Sequence, residues 1–356
     1  MDRNTIEKFV EFAAEKGASD IHFVKGLPVK YRINGSLIDF EDVPLTSQDC
    51  KELAASIAGE QYKKVEKIGE IDFAITLAKR RCRVNIFRQQ GNLSIALRIL
   101  SDRIPSLNRL GLPPVVEQFS KWKKGIVLVT GETGSGKSTT LAAILDEINH
   151  TRYNHIITLE DPVEYIYSPD KCVINQRTVG EDTLSYADGL RGILREDPDI
   201  ILIGEMRDLT TIETALTAAE TGHLVFATLH TNSAADAIDR IVGVFPEEKQ
   251  RQIALQLSMT LRAVLSQQLI VRKDGNGRVL ACEAMIVTPA IRNLIREGKT
   301  PQIHSMILTS ADMGGVTMDN CLANLVKSGE IDVDVAFEHA SDVDFLSKRI
   351  GIRPLK

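Results

Sequence analysis

An eight-residue segment, GETGSGKS at positions 131–138, constrains the fold of this chain more than any other feature. It matches G-x-x-x-x-G-K-[ST] throughout and stands between an apolar run, Ile126–Thr130, and a helical pattern, Ser138–Asn149. Glycines at these positions let backbone N–H groups turn inward around phosphate oxygens, and a helix N-terminus favours anions. The segment therefore predicts a P-loop nucleotide site between a strand and a helix of an α/β domain.

The residues of this loop have separate expected tasks in binding ATP and Mg²⁺. Lys137 can reach the terminal phosphates as a point charge, and Ser138 offers a hydroxyl to Mg²⁺. The residues expected to contact the nucleotide are Gly131, Glu132, Thr133, Gly134, Ser135, Gly136, Lys137, Ser138 and Thr139.

The length of 356 residues favours two domains. Residues 1–100 are predicted to form an α+β domain, and residues 101–114, which contain three prolines, an inter-domain linker. Helices are predicted at Thr5–Lys16 and Ser47–Ile57, and the pair Asn34-Gly35 predicts a turn. The predicted strands are Asp20–Val24, Val29–Ile33, Phe73–Leu77, Cys82–Phe87 and Ser94–Ile99.

Residues 115–356 are predicted to form a second domain around a mostly parallel sheet covered by helices. Short apolar runs alternate there with helical patterns, which is typical of buried parallel strands. The runs are IVLVTG, HIITLE, DIILIGE and HLVFATLH. The last third, from about Glu247, is predicted to be mainly helical, with Glu248–Ser266 as its longest helix.

Composition excludes some classes of function. The net charge of -5 and the 5% aromatic content disfavour nucleic acid as an obligatory partner. The five cysteines form no C-x-x-C pair, which favours free thiols in a reducing cytoplasm over a structural zinc site. No apolar run approaches the roughly 18 residues of a spanning helix, and the charged start does not read as a signal peptide. A cytoplasmic protein is therefore expected.

Carboxylates follow two of the apolar runs. Glu205 comes after DIILIG and can polarise an attacking water or hold Mg²⁺ through water, although an ordinary strand-end carboxylate would look the same. Glu160, Asp161 and Glu164 follow HIITL, at the kind of strand end where α/β sheets bind ligands. These three are candidates for water activation or metal contact, with solvated loop charges as the alternative.

Histidines stand at both ends of the run HLVFATLH. Thr228, His230 and Asn232 share one face at period 2 near its carboxyl end, and His223 precedes the run. Neutral imidazoles in these places can sense a phosphate or contact a neighbouring subunit. The alternative is that both histidines are structural.

Arginines matter because phosphoryl transfer often uses one that comes from outside the pocket. Arg191 and Arg195 are predicted to lie one turn apart on the helix before the Glu205 strand, and Arg207 follows Glu205. Most arginines are surface ion-pairing groups, so each is a candidate only. Further candidates stand on a first-domain strand, RCRVNIFR, and these are Arg81, Arg83 and Arg88.

Taken together, these motifs resemble the type II/type IV secretion ATPase superfamily over nearly the whole chain. The segments that carry the resemblance are GETGSGKST, TLEDPVEY, DIILIGEMRD and TGHLVFATLHTNSA. Two end segments resemble the pilus retraction branch of that superfamily, namely GASDIHFVKGLPVKYRINGSL and AIRNLIREGKTPQIHSMI. In the second, Ile291, Leu294 and Ile295 are expected to pack, with Arg292, Arg296 and Lys299 outward.

The resemblance implies a PAS-like first domain, a RecA-like P-loop domain with a helical C-terminal part, and a ring of six subunits. It implies that Lys137 and Ser138 hold phosphate and Mg²⁺, and that Glu205 and Glu164 surround the attacking water, with Glu205 also near the metal. Coupling is implied for His223 and His230. The charge-stabilising candidates implied are Arg81, Arg83 and Arg195.

The implied work is retraction of type IV pili, with the linker as the hinge of a domain movement. The implied partners are five further copies of the chain, a polytopic inner-membrane platform protein and a paralogous retraction ATPase. Three alternatives stay open: a pilus extension or type II secretion ATPase, an accessory subunit with little activity of its own, and a nucleic-acid translocase. The missing C-x-x-C pairs and the short chain disfavour the first, and the acidic charge disfavours the third.

Overall fold

A computed structural model describes residues 3–33, 36–40, 42–100 and 103–352. The chain divides into two compact units, Met1–Arg103 with Pro162–Ile166, and Ile104–Asp161 with Tyr167–Lys356. The predicted Asn34-Gly35 turn and the first two residues of the predicted linker lie outside the described residues.

The first unit is built on a sheet that, within the described residues, has six strands in the order β3-β2-β1-β6-β5-β4. All neighbouring strands in it are antiparallel. The strands are β1 Asp20–Phe23, β2 Lys30–Ile33, β3 Ser36–Asp39, β4 Glu70–Leu77, β5 Arg80–Gln89 and β6 Asn92–Ile99. The helices are α1 Arg3–Glu15, α2 Ser47–Ala58 and α3 Tyr62–Ile68.

Local sequence explains the helices of this unit. Helix α1 buries Ile6, Val10 and Ala13, which recur at helical spacing on one face. Helix α2 begins with a capping box, in which Thr46 and Asp49 satisfy each other's backbone N–H groups. The α+β class predicted for this part is confirmed, whereas strand β3 and helix α3 were missing from the prediction.

The second unit is built on a sheet that, in the described part of the chain, has seven strands in the order β13-β12-β7-β11-β10-β8-β9. Neighbouring strands are parallel except at the antiparallel β12–β13 edge. The strands are β7 Gly125–Thr130, β8 His155–Glu160, β9 Val173–Thr178, β10 Ile200–Ile203, β11 Leu224–Leu229, β12 Leu261–Val271 and β13 Arg278–Ile286. Strands β7, β10 and β11 are buried along their whole length, as their continuous apolar runs predicted.

Ten α-helices accompany this sheet within the described residues. They are α4 Lys137–Thr151, α5 Tyr186–Ile193, α6 Leu209–Glu220, α7 Ala234–Gly243, α8 Glu247–Thr260, α9 Pro289–Arg296, α10 Ile303–Thr309, α11 Met318–Lys327, α12 Val333–Glu338 and α13 Val343–Ile350. The α/β class with a helical C-terminal part is confirmed.

The predicted helix Glu248–Ser266 was wrong in its last six residues. Helix α8 ends at Thr260, and the chain continues directly as β12 from Leu261. A continuous apolar run can be a buried helix or a buried strand, and periodicity alone does not separate them. Strand β12 lies between β7 and β13, so both of its edges are paired.

Two arginines differ from the sequence prediction. Arg195 was predicted on the helix before β10, but α5 ends at Ile193 and Arg195 lies exposed in the following turn. Arg292 was predicted to point outward from α9, yet it is half-buried and its Nε donates to the Ser258 carbonyl at 3.0 Å. Arg296 is exposed, as predicted.

Across the ranges that the structure describes, no helix combines the length and the apolar character needed to span a membrane.

Candidate nucleotide site

The P-loop leaves the carboxyl end of β7 and requires glycine at three places. Gly131, Gly134 and Gly136 have φ values of 140°, 82° and 93°, which side chains other than glycine rarely adopt. A Cβ at Gly131 would lie 2.3 Å from the Gln267 carbonyl oxygen and 2.6 Å from Ser135 Oγ. The loop is therefore folded tightly against β12.

Lys137 is the first residue of α4 and so stands at a helix N-terminus. Its Nζ donates to the Gly131 carbonyl at 2.7 Å and to the Glu132 carbonyl at 2.8 Å. Ser138 follows in the first turn. This glycine cradle, with a lysine and a hydroxyl at a helix N-terminus, fits a phosphate chain and its Mg²⁺.

Glu205 lies beyond the carboxyl end of β10, where Gly204 is bonded to both neighbouring strands. Gly204 N–H donates to the Leu159 carbonyl at 2.7 Å, and the Thr228 hydroxyl donates to the Gly204 carbonyl. Met206 N–H donates to the Thr228 carbonyl at 3.2 Å. Because bonds on both sides hold the backbone, the direction of the Glu205 side chain is set by the sheet.

A small charged cluster surrounds Glu205, whose side chain is 18% exposed. Its Oε2 lies 2.6 Å from an Arg207 guanidinium nitrogen and 3.4 Å from His230 Nε2. Burial would raise the pKa of Glu205, but the hydrogen bond and charge of Arg207 and the nearby His230 lower it below its ordinary value. Glu205 is therefore an ionised carboxylate at neutral pH.

Tyr186 is a member of this cluster that sequence reasoning missed. It is the first residue of α5, and a Cβ at Gly204 would lie 2.9 Å from its hydroxyl oxygen. Burial, followed by the charges of Asp161, Glu160 and Glu205, raises the pKa of Tyr186, so the hydroxyl stays protonated. No motif marked this tyrosine, because it joins the cluster only through the packing of α5 against β8 and Gly204.

Glu205, His230 and the P-loop all follow the carboxyl ends of neighbouring strands. Strand β11 pairs in parallel with β10 on one side and with β7 on the other, and such strands lie about 4.8 Å apart. Gly131 N–H donates to the Leu229 carbonyl at 3.3 Å, directly before His230. The three elements predicted to form one site thus meet where the carboxyl ends of β7, β11 and β10 lie side by side. We call this end of the strands the P-loop edge.

His223 is not brought to this edge. It precedes β11 at the amino end of the strands, on the order of 20 Å from the P-loop end by the rise of an extended chain. Its Nδ1 lies 2.9 Å from the Ala218 carbonyl and 3.1 Å from Thr221 Oγ1. Those contacts hold the His223 ring at the end of α6.

Arg81, Arg83 and Glu164 belong to the first unit. Arg83 Nε donates to both carboxylate oxygens of Asp72 on the neighbouring strand, at 3.2 and 3.1 Å. Arg81 Nε donates to the Val163 carbonyl at 3.3 Å, next to Glu164. Three of the predicted site residues, two arginines and a carboxylate, therefore lie in the first unit, and both arginines have hydrogen-bond partners within that unit.

The chain matches the family model described as type II/IV secretion system protein over residues 3–314. It is 48% identical to the type IV pilus retraction ATPase PilT of Pseudomonas aeruginosa, over 94% of this chain and 98% of that protein. It is 43% identical to a twitching motility protein of Neisseria gonorrhoeae, over 89% of this chain and 85% of that protein.

A solved structure is similar over the same length. The crystal structure of the pilus retraction motor PilT with bound ADP superimposes with a TM-score of 0.90 at 46% identity, covering 96% of this chain and 99% of that one. The similarity extends over both units. The chain therefore belongs to the type II/IV secretion system family of ATPases.

Proposed function

We propose that this chain hydrolyses ATP and uses the energy to retract type IV pili. The observation that carries the proposal is the 48% identity to a pilus retraction ATPase over nearly the full length of both chains. The P-loop edge of the second unit would supply the chemistry, because a phosphate cradle follows β7 and an ionised carboxylate follows β10, the two strands that flank β11.

Binding would use the P-loop backbone, Lys137 and the N-terminus of α4. The inward N–H groups would bind the phosphate oxygens, and Lys137 Nζ would move from the Gly131 and Glu132 carbonyls to the terminal phosphates. Ser138 would hold Mg²⁺ together with the nucleotide, with Glu205 near it, and the ion would offset the phosphate charge. Positioning and charge neutralisation supply most of the catalysis in such reactions.

Hydrolysis would begin at Glu205. An attacking water bonds to the γ-phosphorus while the bond to the bridging oxygen of ADP breaks, and the carboxylate of Glu205 accepts the water's proton. His230, at 3.4 Å from this carboxylate, would hold its orientation and respond to the loss of the γ-phosphate. Arg207 keeps the carboxylate ionised until the proton arrives.

The remaining candidates would act in a ring of six subunits. Arg195 does not lie at the P-loop edge of its own sheet, so its proposed place is at the nucleotide of a neighbouring subunit. His223, which is held at the end of α6, is proposed to act in coupling. Glu164 of the first unit is proposed as a second carboxylate around the attacking water, and Arg81 and Arg83 of the same unit as charge-stabilising groups. Such groups contribute charge where the transition state develops it.

We further propose that the ring works at the cytoplasmic face of the membrane, on a platform protein at the pilus base. Movement within each subunit would turn this platform and return pilin to the membrane. A paralogous retraction ATPase is a proposed second partner.

The first experiment measures steady-state ATP hydrolysis and native mass of the purified chain, with Glu205→Ala beside it. Glu213→Ala is the matched control, because Glu213 is a half-exposed carboxylate on α6 that pairs with Lys249. The proposal expects turnover by a six-subunit species that falls by about 100-fold or more in Glu205→Ala and persists in Glu213→Ala.

A second measurement tests the direction of work. Pilus retraction is scored in cells whose own retraction ATPase is deleted and replaced by this chain or by Glu205→Ala. Restored retraction that needs Glu205 supports the proposal. Absent turnover in a chain that still binds ATP would instead favour an accessory subunit. Restored pilus assembly in cells that lack their extension ATPase would favour an extension ATPase.

A further inference from the structure

A buried carboxylate outside the P-loop edge connects the C-terminal part of the second unit to the segment that carries His230. Glu283 stands on β13 and is 3% exposed. Its Oε1 accepts a hydrogen bond from the Ala234 N–H at 2.9 Å. Ala234 is the first residue of α7 and is itself fully buried.

This bond completes the start of α7. The first N–H groups of a helix lack partners within the helix, and Ser233 as N-cap accepts from Asp236 N–H. Glu283 accepts from the first N–H of the same turn, where a negative charge is favoured by the helix dipole. The chain entering α7 is therefore tied by two acceptors, one of them on a strand remote in sequence.

The first turn of α7 lies directly after the segment that carries His230. Only residues 231–233 separate His230 from Ala234. A shift at the start of α7 would therefore displace His230 as well. His230 in turn lies 3.4 Å from Glu205. A displacement of about 1 Å at a reacting group can cost about 100-fold in rate.

The other carboxylate oxygen of Glu283 faces a half-buried histidine, and a buried carboxylate lies nearby. His304 of α10 places Nδ1 at 3.9 Å from Glu283 Oε2. Asp319 of α11 is fully buried and accepts from Ser341 N–H at 2.8 Å and from Asp342 N–H. Burying a carboxylate on a strand lowers the stability of the fold. The hydrogen bond to the start of α7 offers a functional reason for its presence.

We propose that Glu283 is a positioning residue for ATP hydrolysis, which holds the first turn of α7 so that His230 stays against Glu205. The inference rests on the proposed hydrolysis and deepens it. Strand β13 thus has a role in the chemistry at the P-loop edge. It is one of the two outer strands of the described sheet, and β9 is the other.

The test compares Glu283→Ala with Glu283→Gln. The alanine variant removes the acceptor, and kcat is expected to fall about 10- to 100-fold while KM for ATP stays within about twofold. The glutamine variant keeps an oxygen that can accept from Ala234 N–H, and kcat is expected within about threefold of the unsubstituted chain. A merely structural role would not separate kcat from KM in this way.

Thr300→Val is the matched control. Thr300 is buried and its hydroxyl donates to Asp239 of the same helix α7 at 3.1 Å, well after the first turn. This variant also loses a bond between α7 and the C-terminal part, and its kcat is expected to stay unchanged. A loss of kcat in Thr300→Val equal to that in Glu283→Ala would overturn the proposal, because it would point to general loosening of α7.

A readout without turnover separates this inference from the proposed function. Amide hydrogen exchange in a peptide covering residues 229–238 is expected to quicken in Glu283→Ala and to stay unchanged in Thr300→Val. Unchanged exchange in Glu283→Ala would overturn the inference whether or not the chain hydrolyses ATP. Absent hydrolysis by the unsubstituted chain, with quickened exchange in Glu283→Ala, would overturn the catalytic role.

Discussion

His230 Nε2 lies 3.4 Å from Glu205 Oε2, which joins the residue after one buried strand to the carboxylate after its neighbour. The contact exists because β10 and β11 are parallel and in register, so their carboxyl ends meet. Through this contact the imidazole can orient the carboxylate that would accept the water's proton. Interactions of this kind raise a rate when they are stronger in the transition state than before it.

The first prediction concerns His230. His230→Ala removes the contact but leaves the phosphate cradle intact, so kcat is expected to fall about tenfold or more while ATP affinity stays within about threefold. Steady-state kinetics and a fluorescent-nucleotide titration measure the two quantities. His150→Ala is the control, because His150 is an exposed residue on α4 that pairs with Asp146. Equal losses of rate in both variants would contradict the role of His230.

The second prediction concerns the P-loop backbone. Gly131→Ala would place a Cβ 2.3 Å from the Gln267 carbonyl oxygen at a φ of 140°. The free energy of unfolding is expected to fall by about 1–3 kcal/mol, and ATP affinity is expected to fall with it because the loop must move. Thermal unfolding with and without ATP measures both effects.

Gly243→Ala is the control for this variant. Gly243 is the last residue of α7, and a Cβ there would meet nothing within 4 Å. Alanine reduces the freedom of the unfolded chain, so stability is expected to rise by about 0.4–1 kcal/mol. Equal thermal shifts for the two alanine variants would show that the P-loop tolerates a side chain at Gly131.

The third prediction concerns Gly204, which is packed beneath Tyr186. A Cβ at Gly204 would lie 2.9 Å from Tyr186 Oη and 3.2 Å from both Glu160 Cα and the Leu159 carbonyl oxygen. Gly204→Ala is expected to cost about 1–3 kcal/mol. In a Tyr186→Phe background the cost is expected to be smaller but not zero, because the backbone contacts remain.

A double-mutant cycle on thermal or denaturant unfolding tests this packing. It uses Gly204→Ala, Tyr186→Phe and the double variant. Strict additivity of the two substitutions would contradict the contact between the Tyr186 hydroxyl and a Cβ at Gly204. A rate measurement on Tyr186→Phe alone reports in addition whether the hydroxyl contributes to the cluster around Glu205.

The sequence predicted the parts of the fold whose local pattern has one meaning. The P-loop, the buried runs of β7, β10 and β11, and the carboxylate at Glu205 follow from short segments and their spacing. Strand β12 was missed because a buried strand directly after a helix continues the same apolar pattern.

The site was predicted less completely than the fold. His230 and Glu205 were named from their motifs, but their contact depends on the order of strands in the sheet. Tyr186 and Glu283 were missed because each reaches its partners through packing of segments distant in sequence. His223 was named with His230 although six strand residues place it at the opposite end. A motif names residue types, while strand direction decides which of them meet.

The fourth prediction concerns the pH dependence of stability. Burial raises the pKa of Glu283 and of Asp319 above their ordinary values, with the backbone N–H donors and His304 acting in the opposite direction. A carboxyl whose folded-state pKa is raised binds protons more tightly in the folded chain. Its contribution to stability is full below the ordinary pKa of about 4 and is lost as pH rises through the raised value.

The free energy of unfolding of Glu283→Gln is therefore expected to fall less between about pH 5 and 8 than that of the unsubstituted chain. This pH range lies above the ordinary pKa of a carboxyl group, which is about 4. Thermal unfolding across this range measures the slope for the variant and for the unsubstituted chain. Glu205→Gln is the control of opposite sign, since the pKa of Glu205 is lowered and its contribution is lost only as pH falls through the folded value. Its slope between pH 5 and 8 should match the unsubstituted chain. Identical slopes for all three proteins would show that Glu283 ionises in the folded chain as freely as in the unfolded one, which its 3% exposure argues against.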